Sequence, residues 1–428
     1  MNLRSIRTAA VAAAAAGALA LTGCAGGGGE GGGDENSLTF WHNSTTGPGK
    51  AYWEEVAAAF EEETGVSVEI TSIQNEDMDG KLQTAANSGD MPDVFMARGG
   101  GKLADIVDAG VVKDVTDLVT DETKEAIGEA PFSAFTIDGA IYGVPVSVLP
   151  EGIFYSQDLF DEAGITENPT TFDELGEAVD KLKSADIQPI ALGAKDAWPA
   201  AHWYYSFALR ACGQDTIENI AANLEFSDGC WQQAAEDLAE FAATEPFNEG
   251  FLTTPAQEGA GSSAGLIANH KAAMELMGGW DVGVIADLTP DSEPLPDLSW
   301  FPLPATEGGE GDPTAMMGGV DGFSCSQDSP AACEDFLNFF SQTEWQEKYS
   351  VAFNAIPVNI EAQSAVTDPS LLPVMEAYNE AGYIVLWLDT LLGQDVGNAL
   401  NTAVVEMLAG SGTPESFMDT IEQAAARG

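Results

Sequence analysis

The sequence predicts an α/β fold in which helices cover a parallel sheet. Short apolar runs alternate with polar residues at 37–41 and 66–70, and a continuous apolar run occupies 93–97. Helical spacing fills the stretches between them, and Gly or Pro stands where one period gives way to the next.

Each element has its own warrant. Leu38 and Phe40 alternate with polar neighbours, so 37–41 reads as a strand. Tyr52, Val56 and Phe60 recur every four residues, which gives a helix up to Thr64 with Gly65 as its stop. Val66, Val68 and Ile70 alternate again and predict a second strand. A helix over 80–88, then Pro92 and a buried strand over 93–97, completes a β-α-β-α-β order, the signature of a parallel sheet. The middle third reads as mostly helical, most clearly at 172–183, 203–212 and 230–244. A strand is expected over 272–276, an extended Pro-rich stretch over 295–304, and helices over 334–349 and 400–409.

Composition narrows the function. The chain has 428 residues, enough for two or three domains, and 45% are hydrophobic, enough for real cores. Nine Trp argue against disorder. With 15 Lys+Arg against 69 Asp+Glu, the formal net charge is −54, which excludes a nucleic-acid partner and electrostatic adhesion to anionic lipid. The acidity itself reads either as a solvated, soluble surface or as the mark of a salt-adapted source. Three His, with no CxxC, HExxH or GxxxxGK[ST], argue against a zinc protease, a P-loop ATPase and a thioredoxin-like enzyme. No metal or cofactor is expected.

The first 23 residues read as an export signal. Arg4 and Arg7 precede an apolar run over 8–21, shorter than the ~20 residues a membrane span needs. It ends in Leu21-Thr22-Gly23-Cys24, which resembles a bacterial lipobox. That resemblance implies cleavage before Cys24 and a lipid on its sulfur. The Gly-rich stretch that follows, to residue 36, reads as a flexible tether. Cleavage removes Arg4 and Arg7 and takes the net charge from −54 to −56. Cys212, Cys230, Cys325 and Cys333 remain, an even number in an exported chain. Three pairings are possible. Local closure, Cys212 with Cys230 and Cys325 with Cys333, is expected because each pair sits in one short segment.

Several segments, in order, resemble the bacterial extracellular solute-binding proteins of family 1, the carbohydrate receptors of ABC importers. They are the strand, polar turn and helix of 37–65, LQTAANSGDMPDVF at 82–95 and YGVPVSVLPEGIFYSQDLF at 142–160. NHKAAMELMGGWDV at 269–282, GGVDGFS at 318–324 and AGSGTPES at 409–416 follow. The match spans roughly 37–425; Glu151 stands where the family's segment is usually neutral. The resemblance implies two α/β lobes, parallel-rich sheets flanked by helices, and hinge crossovers near 145–149, 302–305 and 340–344. Lobe one would be 37–147 with 304–341, and lobe two 148–303 with 342–428. It also implies an oligosaccharide held between the lobes, an ABC permease as partner, no enzymatic activity, and a monomer outside the plasma membrane that touches lipid only through its anchor.

A sugar offers apolar faces and a rim of hydroxyls, so its binder needs aromatic platforms and polar side chains such as Asp, Asn and Arg. Trp41, His42 and Asn43 follow the first strand, and Arg98 follows the strand at 93–97. Glu151 and Tyr155 follow the first crossover, and Trp198 or Trp203 is expected to line the cleft. Trp280 and Asp281 match a family motif whose Trp often stacks on sugar. Asp321, in a Gly-rich strand, Asn354, Trp387, Asp389 and Asp395 complete the candidates. Trp53, Trp231, Trp300 and Trp345 are expected in the core. WHNSTTGPGKAYW, GGVDGFSCS and FNAIPVN resemble an actinobacterial subgroup associated with xylobiose and other short oligosaccharides. A raffinose-type α-1,6-oligosaccharide and a polyamine or other cation are the alternatives within the fold. A secreted glycoside hydrolase is the alternative outside it. The GSSAG at 261–265 spells an esterase elbow around Ser263, but a Pro- and Gly-containing loop precedes it where the elbow needs a strand.

Overall fold

The structure is a computed structural model that describes residues 36–427. The expected signal segment, Cys24 and almost all of the tether lie outside the described residues. No helix among the described residues is long and apolar enough to cross a membrane.

Strands β1 (Ser37–His42) and β2 (Ser67–Ser72) form where alternation predicts them and β3 (Val94–Ala97) where the continuous apolar run does, and β1 pairs in parallel with both neighbours. Helix α1 (Gly47–Thr64) links β1 to β2 and buries Tyr52, Trp53, Val56 and Phe60. Pro48 sits in its first turn, where a missing N–H costs nothing, and Gly65 ends it at φ 77°. Helices α2 (Asn75–Ser88) and α3 (Gly100–Asp108) flank β3.

The rest of the sheet is mixed. Strand β4 (Val144–Ser156) is buried along all thirteen residues. Its first part pairs antiparallel with β7 (Met316–Cys325) and the short β8 (Ile356–Pro357). From Glu151 onward it pairs antiparallel with β5 (Met274–Gly278), and from Ile153 also with β6 (Leu298–Phe301). Strand β7 runs antiparallel to β3, and β9 (Ile384–Leu386) parallel to β7. The parallel-rich expectation therefore holds for β1–β3 and β7/β9 only. The strands that join the halves reverse direction, and antiparallel pairing follows.

The chain is α/β and two-lobed, and β4 contributes to both hydrophobic cores: Val144, Val146, Val148 and Phe154 to the first, Leu149, Ile153 and Tyr155 to the second. The second core gathers around helix α4 (Trp198–Ala211), whose residues from Pro199 on are all buried. A helix buried on every face is a core helix, and its polar His202, Ser206 and Arg210 are buried with it. It starts five residues before the expected 203, because Pro199 suits a first turn. A disulfide ties Cys212 at its end to Cys230 in helix α5 (Gly229–Ala243), and a second joins Cys325 to Cys333. Both are the local pairs expected. The short helix α6 (Ser263–Ala268) and helix α7 (Asp281–Leu288) lie either side of β5 in sequence.

The helix expected over 334–349 is two, Ala332–Phe340 and α8 (Thr343–Phe353). Side-chain amides take up carbonyls at the break: Gln346 donates to Phe340 at 3.3 Å and Asn359 to Ser341 at 3.1 Å. Beyond it, Trp345 and Tyr349 pack edge-on against Tyr52 of α1, at 6.5 and 5.6 Å between ring centres. Residues of α8 thus rest on the helix that opens lobe one, where the sequence division gave them to lobe two, while Val385, Leu400 and Phe417 lie in the second core. Helix α9 (Gly393–Leu408) lies near the C-terminus. Trp53, Trp231, Trp300 and Trp345 are all buried.

Candidate functional site

Glu151 marks the point where β4 changes partners. The residue before it, Pro150, faces Gly318 of β7; Glu151 itself faces Gly278 of β5. Aromatic rings from three segments meet beside it. Helix α4 contributes Trp198, His202 and Tyr205, the turn after β5 contributes Trp280, and the segment after β9 contributes Trp387. Trp280 stands perpendicular to Trp387 at 5.4 Å and tilted to Trp198 at 6.1 Å. His202 stacks on Trp387 at 5.0 Å and lies 5.1 Å from Trp198.

Two glycines make room for these rings. A Cβ at Gly319 would lie 2.1 Å from the Trp387 ring, and one at Gly278 would lie 1.9 Å from the Trp280 ring. Strands β7 and β5 are therefore bare of side chains where the indoles cross them.

The polar atoms here are incompletely paired. Glu151 is 1% exposed and accepts a hydrogen bond from the Trp387 indole N–H through Oε2. His202 Nδ1 lies 3.4 Å from the same oxygen. Glu151 Oε1, Trp198 Nε1 and His202 Nδ1 are buried with no hydrogen-bond partner among the described residues. Buried polar atoms are nearly always paired, so three orphans around one aromatic cluster leave hydrogen-bonding capacity for a polar ligand.

A charged network adjoins it. Arg98 Nε lies 3.0 Å from Asp79, and its Nη2 donates to Asn75 at 2.8 Å; Asn43 donates to the same Asn75 oxygen at 3.3 Å. Lys102 lies 3.1 Å from Asp79 and 3.4 Å from Asp389. Asn401 donates to Asp389 at 3.3 Å and accepts from the Tyr205 hydroxyl. Burial opposes charge on Asp79, but the adjacent Arg98 and Lys102 outweigh it and hold its carboxyl well below the usual range. At Asp389 burial is likewise overcome by Lys102 and His202, and its pKa falls. Asp321 on β7 moves upward because burial dominates and Arg98 offsets only part of it.

The structure thus brings Glu151, Trp198, Trp280 and Trp387 together, with Arg98, Asp389, Asp321 and Asn43 in or beside the network. Arg98 already has Asp79 and Asn75 as partners. The other candidates lie elsewhere. Trp41 packs against the first core. His42 is fully buried beside Phe40 and Trp53, and burial with the nearby Lys50 lowers its pKa to about 4. Tyr155 lies in the second core against Phe160 and Phe301, its hydroxyl donating to Gln157 at 3.1 Å. Trp203 is 1% exposed and stacks on Phe241. Asp281 is fully buried against Glu275. Asn354 caps α8 with φ 43°, and Asp395 is exposed in the first turn of α9.

Sequence reasoning missed His202, Tyr205, Asp79, Lys102 and Asn401. Two signals were there: Trp198, His202 and Tyr205 fall at i, i+4 and i+7 of one helix face, and Arg98 and Lys102 are four apart. Ser263 is not on an elbow: it opens α6 after a turn, is fully buried, and donates to Ala256 at 2.9 Å.

The chain covers 90% of itself and 99% of a structure solved in work on xylan utilisation by Caldanaerobius polysaccharolyticus, with TM-score 0.83 and 26% identity. A chitin oligosaccharide binding protein gives TM-score 0.82 and 26% identity over 92% of this chain and 99% of that one. The melibiose/raffinose/stachyose-binding protein MelE of Bacillus subtilis is 24% identical over 325 residues, 72% of this chain and 71% of MelE. Residues 43–347 match the profile of the bacterial extracellular solute-binding proteins, and the chain belongs to that family of non-enzymatic ABC-transporter receptors.

Proposed function

We propose that this protein captures a short oligosaccharide, of the xylobiose or xylo-oligosaccharide kind, between its lobes and delivers it to an ABC permease. The carrying observation is the ring cluster of Trp198, Trp280 and Trp387 set among the orphaned Glu151 Oε1, Trp198 Nε1 and His202 Nδ1. Indole faces suit the C–H faces of a pyranose, and the orphaned atoms suit its hydroxyls. The likeness to the xylan-utilisation structure supports the sugar class. Hinge closure would bring the two halves of the site onto the ligand. On this reading lobe one takes in α8 as well as 37–147 and 304–341, and the chain works as a monomer. It is held outside the plasma membrane by a lipid on Cys24, with its acidic surface keeping it soluble.

A raffinose-type α-1,6-oligosaccharide is the second reading, supported by the likeness to MelE. An amine ligand is less well supported, because Arg98 and Lys102 already offset the acids Asp79 and Asp389. Calorimetry of the purified protein against xylobiose, xylotriose, chitobiose, melibiose, raffinose and stachyose tests the proposal. Heat with the xylo-oligosaccharides supports it, heat with raffinose alone moves the assignment to the second reading, and no heat with any of them rejects a sugar of these classes.

A further inference from the structure

Glu275 and Asp281 form a buried carboxyl pair at the two ends of the turn that carries Trp280. Strand β5 sets Glu275 opposite Phe154 of β4. The chain then turns at Gly278 and Gly279, passes Trp280, and starts α7 at Asp281. The two acids are 1% and 0% exposed, and none of their four carboxyl oxygens has a hydrogen-bond partner. The only charge acting on Glu275 is that of Asp281, and Glu275 is the one titratable group acting on Asp281. The other polar neighbour of Glu275 is Ser263 of α6, whose hydroxyl is already donated to Ala256 at 2.9 Å. Among the described residues no Lys, Arg or His bears on either.

Two carboxylates side by side in an apolar setting do not both ionise. Four oxygens without a donor call for a hydrogen between them. The turn they bracket places Trp280 against Trp198 and Trp387.

We propose that Glu275 and Asp281 share one proton, and that this proton holds the β5–α7 turn in the form that presents Trp280 to the ligand. The ligand role of Trp280 rests on the proposed function; the shared proton does not. The carboxyl O–H of one acid donates to the carboxylate of the other, pinning the first turn of α7 to β5. When the proton leaves for solvent, two like charges face each other without water or cation, and the turn opens. Burial raises the pKa of both groups; the charge of Asp281 raises Glu275 further, whereas the hydrogen bond with Glu275 lowers Asp281, so the proton persists at a pH where an exposed acid has lost it. The pair therefore acts through Trp280, as positioning residues.

Infrared difference spectroscopy on the purified protein tests the proton directly. A protonated-carboxyl C=O band is expected at pH 6, disappearing as pH rises, and absent in Glu275→Gln, where the amide can donate to Asp281 with no proton to lose. Asp281→Asn is the parallel variant should Glu275→Gln not fold. Tryptophan emission should shift over the same pH range in the wild type and not in Trp280→Phe. Affinity for whichever of xylobiose or raffinose binds should weaken about tenfold per pH unit beyond the band's midpoint, following the competent fraction. It should stay flat in Glu275→Gln. Absence of the band at pH 6 overturns the shared proton. A band that titrates while emission and affinity stay constant overturns the positioning role. If no sugar binds at any pH while band and emission titrate together, the receptor assignment has failed and the coupling of proton to Trp280 stands.

Discussion

Replacing Glu151 separates binding from folding more cleanly than any other change at the site. One oxygen of this carboxyl accepts from the Trp387 indole and the other is unpaired. Glu151→Gln keeps the size and an acceptor for the indole but removes the charge offered to the ligand. A hydrogen bond to a charged group contributes about 1.5–3 kcal/mol, which is roughly 10- to 150-fold in Kd. Glu151→Ala removes that contact and also strands a buried indole N–H, so it should cost in addition about 1–3 kcal/mol of stability. The strand itself survives, because Glu151 pairs with Gly278 through the backbone. Calorimetry with the sugar that binds wild type, together with urea unfolding, reads both quantities. The reasoning is refuted if Glu151→Gln folds with wild-type stability and binds within twofold of wild type.

Three further outcomes follow from the packing. Arg210, 2% exposed, donates to the carbonyls of Leu303, Pro304, Asp312 and Ala315 at 3.0–3.1 Å, so Arg210→Ala should lose about 3–5 kcal/mol in urea unfolding, and Lys should not rescue it. Gly319→Ala puts a methyl 2.1 Å from the Trp387 ring and should cost about 1–3 kcal/mol of stability and weaken sugar affinity, both read on one sample by melting with and without ligand. The raised pKa of the Glu275–Asp281 pair means that the folded protein holds a proton the unfolded chain has lost; the pair's contribution is full below the unfolded carboxyl range near pH 4 and declines as pH rises to the folded midpoint. Exposed acids have finished titrating by about pH 6, so a fall in Tm from pH 6 upward in wild type, absent in Glu275→Gln, isolates the pair.

How much of this was legible depended on whether the signal was local. Strands β1 and β2 show one face to the core and alternate, and α1 carries its stripe and its glycine stop, so all three could be read. Strand β4 could not: all thirteen residues are buried, which erases alternation, and Pro145 and Pro150 speak against a central strand. Yet β4 places Glu151, the residue around which the site is built. Trp203 and Trp198 look alike in sequence, and only the turn of α4 decides that one faces Phe241 and the other Trp280. The family likeness suggested candidate residues such as Trp280, but partners such as Asp79 with Arg98, or Lys102 with Asp389, are set by tertiary contact between distant segments.

The charge of −54 takes on a specific meaning at the site. Of the 15 basic residues, Arg98 and Lys102 are spent side by side within a network of acids. Lys102 spans from α3, in the first half of the chain, to Asp389 beyond β9, so it ties segments far apart in sequence. Left without those two cations, Asp79, Asp321 and Asp389 would be like charges in a poorly solvated space, each pushed toward the protonated form by burial. With them, Asp79 and Asp389 stay ionised and their geometry is fixed by hydrogen bonds at 3.0–3.4 Å. Ionised groups paired to one another in this way have less left to offer an uncharged ligand than the orphaned atoms beside the indoles. On the proposed function a division of labour follows from that: the ion network sets where Tyr205 and the Asp389 segment stand, and Trp198, Trp280, Trp387, His202 and Glu151 are left to meet the ligand. Salt should therefore alter sugar affinity little, since the paired charges are largely buried and screening by mobile ions acts chiefly on exposed ones.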